Sequence, residues 1–540
     1  MLIRLLLLYF LIHYFEPGHA QYIHNVSIPD KSLSKVAEMT DSSVRYASGI
    51  SPSTLRDHLK VIASDSMEGR ETGKRGMYLA SEYLQKQIRN LGLLPVPGTN
   101  NYFQNIAFTF SKWNDTNIQV NELTFRHLWD YITIPEDNQD LPEFSASEVV
   151  FLGFGIDDPT YSDYKKIDVK DKLILINKGE PVKKNGNSVI TGTPEMSSWS
   201  SDLKRKLIVA KSNGVKLVLI IEDDIKKLLD TNRRKILLGS TELGIASQKT
   251  YNTANHIYIS SNIAKAIIGE NEKKILSARD KFKSGKPAQV VLKTSFKVNM
   301  AKDVSILEGQ NVVGYIQGKT KPDEFIIVSA HYDHLGIRGG EIYNGANDNG
   351  SGTVTLIELA QASQQAVMEG NPPRRSIVFL WFCGEEKGLL GSQYYSENPV
   401  FPLKNTILDI NIDMLGRPDQ KYKDDPDYTY IIGSDRLSTD LHKINEEANQ
   451  KYTNLTLDYT YNDEADPNRY YYRSDHYNFA RKGIPAIFFF NGTNEDYHRT
   501  TDDVEKINFD AMANVGKLIF HTLWEVANRK ERIIVDGEIK

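Results

Sequence analysis

Short apolar runs that alternate with helical stretches constrain the second half of this chain more than any other feature. One of the stretches between them, Gly352 to Ala366, has the apolar spacing of a helix. Strands that alternate with helices form a mostly parallel sheet with helices on both faces. The predicted fold is therefore α/β, with a mixed, mostly parallel sheet sandwiched by helices. The predicted strands are Val312 to Ile316, Phe325 to Ala330, Ile377 to Phe382, Ile407 to Ile412 and Ile484 to Phe490.

Length and composition limit the class of protein. A chain of 540 residues exceeds the roughly 100–200 residues of an ordinary domain, so we expect more than one folded unit. The 65 Lys+Arg and 70 Asp+Glu residues leave a net charge of -5, which provides no cationic field for a nucleic acid. The single cysteine, Cys383, excludes an internal disulfide and a cysteine-based zinc cluster. Any metal must therefore be held by histidines and carboxylates.

The first 20 residues have the pattern of a secretory signal peptide. Arg4 is followed by the apolar run Leu5 to Ile12, and a small residue, Ala20, stands at a plausible cleavage point. The run is much shorter than the ~20 residues needed to cross a bilayer. A buried N-terminal helix is the alternative, which the abrupt end of the run disfavours. We expect a mature chain that starts near Gln21, is not stably inserted in a membrane, and is exported to the periplasm or the medium of a bacterium.

Three units are predicted after the signal peptide: residues 21–121, 122–296 and 297–540. The first begins the main domain, with two helices predicted between Ser53 and Leu91 from apolar residues three and four positions apart. The third carries the α/β pattern described above and completes that domain.

The middle unit, residues 122–296, is predicted to be a β-rich insert. Its short apolar runs surround one helical segment, Asp202 to Asn213. The insert contains only two histidines, His127 and His256, and neither has clustered carboxylates beside it. We therefore predict that the insert takes no part in the chemistry.

Polar side chains directly follow three of the predicted strands. His331-Tyr332-Asp333 follows one strand, Gly384-Glu385-Glu386 follows another, and Asp413 ends a third. The carboxyl ends of neighbouring parallel strands meet at one edge of the sheet, where such folds bind their ligands. Asp348 directly precedes a helix, and His498 follows the last strand after a short loop.

Each of these signals has an ordinary structural explanation when taken alone. Asp348 could cap the helix that follows it, His331 could be a hydrogen-bonded histidine, and the paired glutamates could be solvated. Together they place two histidines and several carboxylates at one sheet edge. That combination favours a binuclear site for a borderline metal such as zinc.

The order of these motifs resembles the signature of metallopeptidase family 28. The resemblance covers about Ser53 to Phe110 and Val304 to Asn528, and the insert resembles a protease-associated domain. It implies a zinc exopeptidase fold of the phosphorylase/hydrolase-like type. The motifs that carry it are His331-Tyr332-Asp333, Asn347-Asp348-Asn349-Gly350-Ser351-Gly352, Gly384-Glu385-Glu386, Asn411-Ile412-Asp413-Met414 and Tyr497-His498.

The resemblance also implies a role for each matched residue. Two zinc ions share the bridging carboxylate of Asp348; one also binds His331 and Asp413, and the other binds Glu386 and His498. The remaining roles are Glu385 as general base, Asp333 as the carboxylate that orients His331, and Tyr497 as a hydrogen-bond donor to the oxyanion, with aromatic packing as its alternative. A further run, Ser474-Asp475-His476, resembles a family motif near the substrate pocket.

The predicted activity is that of an exported di-zinc exopeptidase, most consistent with an aminopeptidase acting on peptides. Carboxylates around the metals would hold a cationic amine, whereas a carboxypeptidase needs arginines for a terminal carboxylate. The alternatives are a carboxypeptidase or dipeptidase of the same fold, a glutaminyl cyclase-like enzyme with one zinc, and a non-catalytic transferrin receptor-like binding protein. The oligomeric state stays open. The candidate arginines are Arg417, Arg469, Arg473 and Arg499.

Overall fold

The structure is a computed structural model that describes residues 42–245 and 250–538. The predicted signal peptide lies outside the described residues, so it stays a prediction. Within the two described ranges, no helix combines the length and the apolarity needed to cross a membrane.

The described residues form α-helices and β-strands with the following bounds. The helices are α1 Ser42–Ala47, α2 Pro52–Ile62, α3 Arg75–Asn90, α4 Ser198–Ser201, α5 Leu203–Ser212, α6 Ile225–Leu238, α7 Ser261–Ile268, α8 Glu272–Lys283, α9 Gly352–Met368, α10 Leu390–Glu397, α11 Thr439–Ala448, α12 Tyr477–Ala480 and α13 Phe509–Asn528. The strands are β1 Phe103–Val120, β2 Leu123–Phe125, β3 Tyr131–Ile132, β4 Leu141–Phe151, β5 Leu173–Ile176, β6 Leu217–Ile221, β7 Ser240–Leu243, β8 His256–Ile259, β9 Val290–Ile316, β10 Lys321–His331, β11 Gly336–Arg338, β12 Glu341–Tyr343, β13 Arg375–Phe382, β14 Thr406–Ile412, β15 Tyr428–Ile432, β16 Thr456–Asp458 and β17 Ala486–Phe490.

A mixed sheet with a parallel centre confirms the predicted fold. One half has the order β16-β15-β17-β14-β10-β13-β9, and β17, β14, β10 and β13 run parallel. Side chains along β13 and β14 are buried throughout, as expected for strands covered on both faces. Because β10, β13 and β14 are adjacent and parallel, their carboxyl ends meet at one edge.

The predicted elements of this half match the observed ones closely. The helix predicted over Gly352 to Ala366 is α9, and the two helices predicted between Ser53 and Leu91 are α2 and α3. The last predicted strand begins at Ala486, two residues later than expected. Pro485 precedes it and has no N–H to donate to a sheet ladder.

The insert contains more helix than predicted. Its strands β4, β5, β6 and β8 are buried around a hydrophobic core of their own. The predicted helical segment is α5, but α6, α7 and α8 also form, so the expectation of a single helix was wrong. Asp224 caps α6 and Gly239 follows its last residue, which are local signals for a helix.

The long strand β9 serves both halves of the sheet. It pairs with β4 on the insert side and with β13 on the side of the α/β unit. The predicted boundary after Phe296 falls inside this strand. The division of the chain at 121 and 296 therefore stays a prediction.

Arg70 joins the loop between α2 and α3 to the loops at the sheet edge. Its side chain is fully buried, and it donates hydrogen bonds to the carbonyl oxygens of Tyr332 (2.8 Å), Ile62 (2.7 Å), Asn344 (2.6 Å) and Gly345 (2.9 Å). Burial lowers the pKa of Arg70 to about 10, so the guanidinium stays charged at neutral pH. These bonds fix the backbone on both sides of the segment that follows β10.

We expect Arg70→Met to lower the free energy of unfolding by at least about 4 kcal/mol, because each of the four carbonyls left without a donor costs about 1–3 kcal/mol. Urea denaturation followed by circular dichroism measures the loss. Arg75→Met is the matched control, since Arg75 is exposed and pairs only at the surface with Glu68, an interaction worth about 0–1 kcal/mol. Equal losses in the two variants would show that the buried hydrogen bonds of Arg70 do not stabilise the fold.

Candidate metal centre

The carboxyl ends of three parallel strands bring the first group of predicted site residues together. His331 is the last residue of β10, Glu385 lies in the loop after β13, and Asp413 directly follows β14. Nε2 of His331 is 3.3 Å from Oδ1 of Asp413 and 3.9 Å from Oε2 of Glu385. The three residues offer donor atoms that all lie within 4.8 Å of one another.

Asp348 faces two groups of side chains at once. Its Oδ1 lies 3.5 Å from Nε2 of His331, and its Oδ2 lies 3.0 Å from Nε2 of His498. The side chain of Asn349 donates to the carbonyl of Ile412 and accepts from the backbone N–H of Gly352, which ties the loop to β14 and to α9. The carboxylate of Asp348 therefore lies between the imidazoles of His331 and His498.

The second group surrounds Glu386. Its Oε1 lies 3.1 Å from Nε2 of His498 and 3.1 Å from Nδ1 of His334. The structure thus brings together all five predicted ligands, with Asp348 between the two groups. It also adds His334, which sequence reasoning missed although it stands one residue beyond Asp333 in the same run.

The charges of these groups act strongly on one another. Burial lowers the pKa of His331, but Asp413 and Glu385 raise it more, to well above the ordinary histidine value. Burial likewise opposes protonation of His498, yet its hydrogen bonds to two carboxylates raise the pKa to about 10. Burial raises the pKa of Glu385 well above its usual range. The cluster therefore favours positive charge.

Supporting side chains hold the predicted site residues in place. Asp333 accepts a hydrogen bond from Oγ1 of Thr72 (2.8 Å) and from the backbone N–H of Glu385 (3.2 Å), and its carboxylate is 3.7 Å from Nδ1 of His331. Ser474 donates to Oδ2 of Asp413 at 2.8 Å. The position of Asp333 behind the imidazole suits its predicted orienting role.

Tyr497 lies at the mouth of a small pocket beside the first group. Its ring stacks on His498 with centroids 3.9 Å apart, and its hydroxyl accepts from Arg473 at 3.4 Å. Aromatic side chains, Tyr470, Phe488 and Phe490, line the rest of this pocket. Tyr497 can therefore serve both of its predicted roles, ring packing and hydroxyl donation.

The candidate arginines differ in their distance from the centre. Arg473 lines the pocket beside Asp348, and its guanidinium lies over the Tyr470 ring. Arg417 instead forms ion pairs with Glu495 and Asp496. Of the candidates, Arg473 is the one that the structure places beside the predicted ligands.

Two further residues near the centre escaped sequence reasoning. Asp502 accepts hydrogen bonds from the backbone N–H groups of Asn347 (2.9 Å) and Asp348 (3.0 Å), which positions the central carboxylate. Arg234, on α6 of the insert, donates to the carbonyl oxygen of Glu386 and lies 3.7 Å from its Oε2. These contacts join segments far apart in the chain, so no local pattern announces them.

The centre fits a zinc pair by its donor atoms. Nε2 of His334 is buried without a hydrogen-bond partner in the described part of the chain, and Oε1 of Glu386 lies between two imidazole nitrogens. Such atoms are expected where a cation completes the site. The donors are imidazole nitrogens and carboxylate oxygens, which zinc accepts.

Comparison with known proteins places these residues in a family. The model of Peptidase family M28 matches residues 311–523, which include every predicted site residue. The chain is 28% identical over 231 residues to Aminopeptidase YwaD of Bacillus subtilis, covering 41% of this chain and 46% of that protein. It is 31% identical over 217 residues to a probable leucine aminopeptidase of Trichophyton verrucosum, covering 38% of this chain and 55% of that protein. The chain thus spans about half the length of these curated relatives.

The fold has a counterpart among solved structures. The aminopeptidase from Aneurinibacillus sp. strain AM-1 superposes with a TM-score of 0.53 at 18% identity, covering 92% of this chain and 98% of that one. The likeness extends over both the α/β unit and the insert and concerns the fold alone. Residues 311–523 therefore match the model of Peptidase family M28.

Proposed function

We propose that this chain is a zinc-dependent aminopeptidase that removes residues from the N-terminus of peptides. The observation that carries the proposal is the position of Asp348 between His331 and Asp413 on one side and Glu386 and His498 on the other. The names of the relatives in Peptidase family M28 support the same activity.

Two zinc ions per chain are part of the proposal. His331 and Asp413 would hold one ion, Glu386 and His498 would hold the other, and Asp348 would be shared by both. When bound, zinc supplies a Lewis acid that polarises the scissile carbonyl and lowers the pKa of water.

The side chains of the protein move the proton and orient the peptide. The carboxylate of Glu385, 3.9 Å from Nε2 of His331, accepts a proton from the attacking water and passes it to the leaving amine. Asp333 holds the tautomer and the orientation of His331. The hydroxyl of Tyr497 donates to the oxygen that becomes negative in the transition state.

The carboxylates around the centre favour recognition of an amine. A free N-terminus is a cation, and the buried acids of the centre, Asp348, Glu386 and Asp413, attract positive charge. Arg473 favours a second candidate, a carboxypeptidase or dipeptidase, because an arginine beside the pocket could hold a terminal carboxylate. Peptides blocked at one end or the other distinguish the aminopeptidase from the carboxypeptidase or dipeptidase.

A glutaminyl cyclase-like enzyme and a transferrin receptor-like binding protein are the remaining alternatives. Metal analysis of the purified protein separates them: two zinc ions per chain support the peptidase, one supports the cyclase, and none supports the binding protein. Hydrolysis of a panel of aminoacyl and dipeptidyl reporters, lost with a chelator and restored by zinc, tests the activity directly.

The insert braces the metal centre in this proposal. Arg234 contacts both the carbonyl and the carboxylate of Glu386, beside a cavity of about 460 Å³ between α6 and the loop after β13. Residues of both units line that cavity, among them Lys235 and Lys387. The insert thus reaches a predicted ligand without supplying one.

Glu385→Gln should lower kcat by ~10²- to 10⁴-fold, because the amide keeps the shape of the side chain but cannot accept the proton. Steady-state kinetics on a reporter peptide measures the loss, and elemental analysis checks that zinc content is unchanged. Glu386→Gln is the matched comparison and should lose zinc as well as activity. Near-normal turnover of the first variant would show that another group is the base.

Acetylation of the N-terminus of a good peptide substrate should abolish its cleavage, because it removes the cation that the carboxylates bind. The free, N-acetylated and C-amidated forms of one peptide, compared by mass spectrometry, give the answer. Cleavage that survives acetylation but fails after amidation would reverse the assignment in favour of the carboxypeptidase.

Arg234→Ala should weaken zinc affinity by ~10- to 100-fold, the effect typical of residues that hold a ligand from behind. Competition with a chelating dye measures the affinity. Arg233→Ala is the control, since it removes the same charge from the neighbouring position of the same helix, which is also exposed. If the two variants bind zinc equally well, the insert does not brace Glu386.

A further inference from the structure

His334 is a side chain of the centre that none of the proposed roles uses. It follows Asp333 in the loop after β10, and its side chain is fully buried. Its Nε2 has no hydrogen-bond partner among the residues that the structure describes, and its Nδ1 faces a carboxylate oxygen of Glu386. A buried ring nitrogen without a hydrogen bond is costly unless another partner compensates.

The ring of His334 approaches the same two oxygen atoms as His498. Its Nδ1 is 3.1 Å from Oε1 of Glu386 and 3.9 Å from Oδ2 of Asp348. Nε2 of His498 is 3.1 Å and 3.0 Å from those oxygens. Zinc with ligands at about 2.0–2.2 Å in a tetrahedron keeps its ligand atoms roughly 3.3–3.6 Å apart, and these separations bracket that range.

The surroundings of His334 keep its ring against the carboxylates. A Cβ atom at Gly345 would lie 2.5 Å from the ring, so the imidazole fits here because residue 345 is a glycine. The backbone N–H of His334 donates to the carbonyl of Arg70 at 3.3 Å. Since Arg70 also donates to the carbonyl of Gly345, ring and glycine are held together.

We propose that His334 is a fourth protein ligand of the zinc position formed by Asp348, Glu386 and His498. The inference rests on the zinc pair of the proposed function. The two zinc positions would then differ in their number of protein ligands, because the other position has three: His331, Asp413 and the shared Asp348. The position with two histidines should be the tighter of the two, and should fill first when zinc is added.

X-ray absorption at the zinc edge tests the ligand count without any variant. The wild-type protein loaded with two zinc ions should show three imidazoles shared by the pair, and His334→Ala should show two. Two imidazoles in the wild-type protein would overturn the proposal and leave His334 as a residue that only positions Glu386.

Zinc affinity gives a second, independent test. His334→Gly should bind one of the two ions at least ~100-fold more weakly, beyond the ~10- to 100-fold expected for a residue behind a ligand, and added imidazole should restore the affinity. His256→Ala, which removes a buried imidazole from the insert, should bind both ions normally. Unchanged affinity in His334→Gly would also overturn the proposal. A wild-type protein without zinc would instead contradict the proposed function itself.

Discussion

The packing of several acidic side chains into one edge of the sheet is the interaction on which the rest of the structure depends. Asp348, Glu386 and Asp413 are each almost fully buried, and Glu385 lies beside them. At an effective dielectric constant near 20, two like charges about 4 Å apart repel by ~4 kcal/mol. Such a cluster persists only with cations among the acids. Without a metal, protonated imidazoles of His331 and His498 supply that charge; bound zinc would supply it instead, with both imidazoles neutral.

The fold meets this requirement by fixing backbone rather than side chains alone. Parallel strands deliver His331 and Asp413, while hydrogen bonds from Arg70 and to Asp502 hold the loops that flank Asp348. These anchors come from segments more than 150 residues away from the loops they hold. The metal centre therefore depends on contacts between distant segments of the α/β unit, and its supporting residues are dispersed along the chain.

Periodicity and strand ends were enough to predict the central strands, α9 and the meeting of polar side chains at one sheet edge, because those signals are local. The set of five predicted ligands came from the family resemblance. The helix α6 also had local signals, a capping Asp224 and a terminating Gly239, so it could have been predicted. Arg70, Asp502 and Arg234 could not, since each acts on backbone that is distant in sequence. His334 is an intermediate case. Its position beside Asp333 was visible, but only the structure shows Nδ1 aimed at Glu386.

The group around His331 and the group around Glu386 lie beside different cavities. His331, Asp413 and the proposed base, Glu385, line a small pocket with aromatic walls and Arg473. Glu386 lines the cavity that it shares with α6 of the insert. Changes in the aromatic pocket should therefore act first on substrate choice, whereas changes in the insert reach the chemistry through the ligand that Arg234 contacts. A protein with this arrangement can vary its insert without touching the base, provided that the contact with Glu386 is kept.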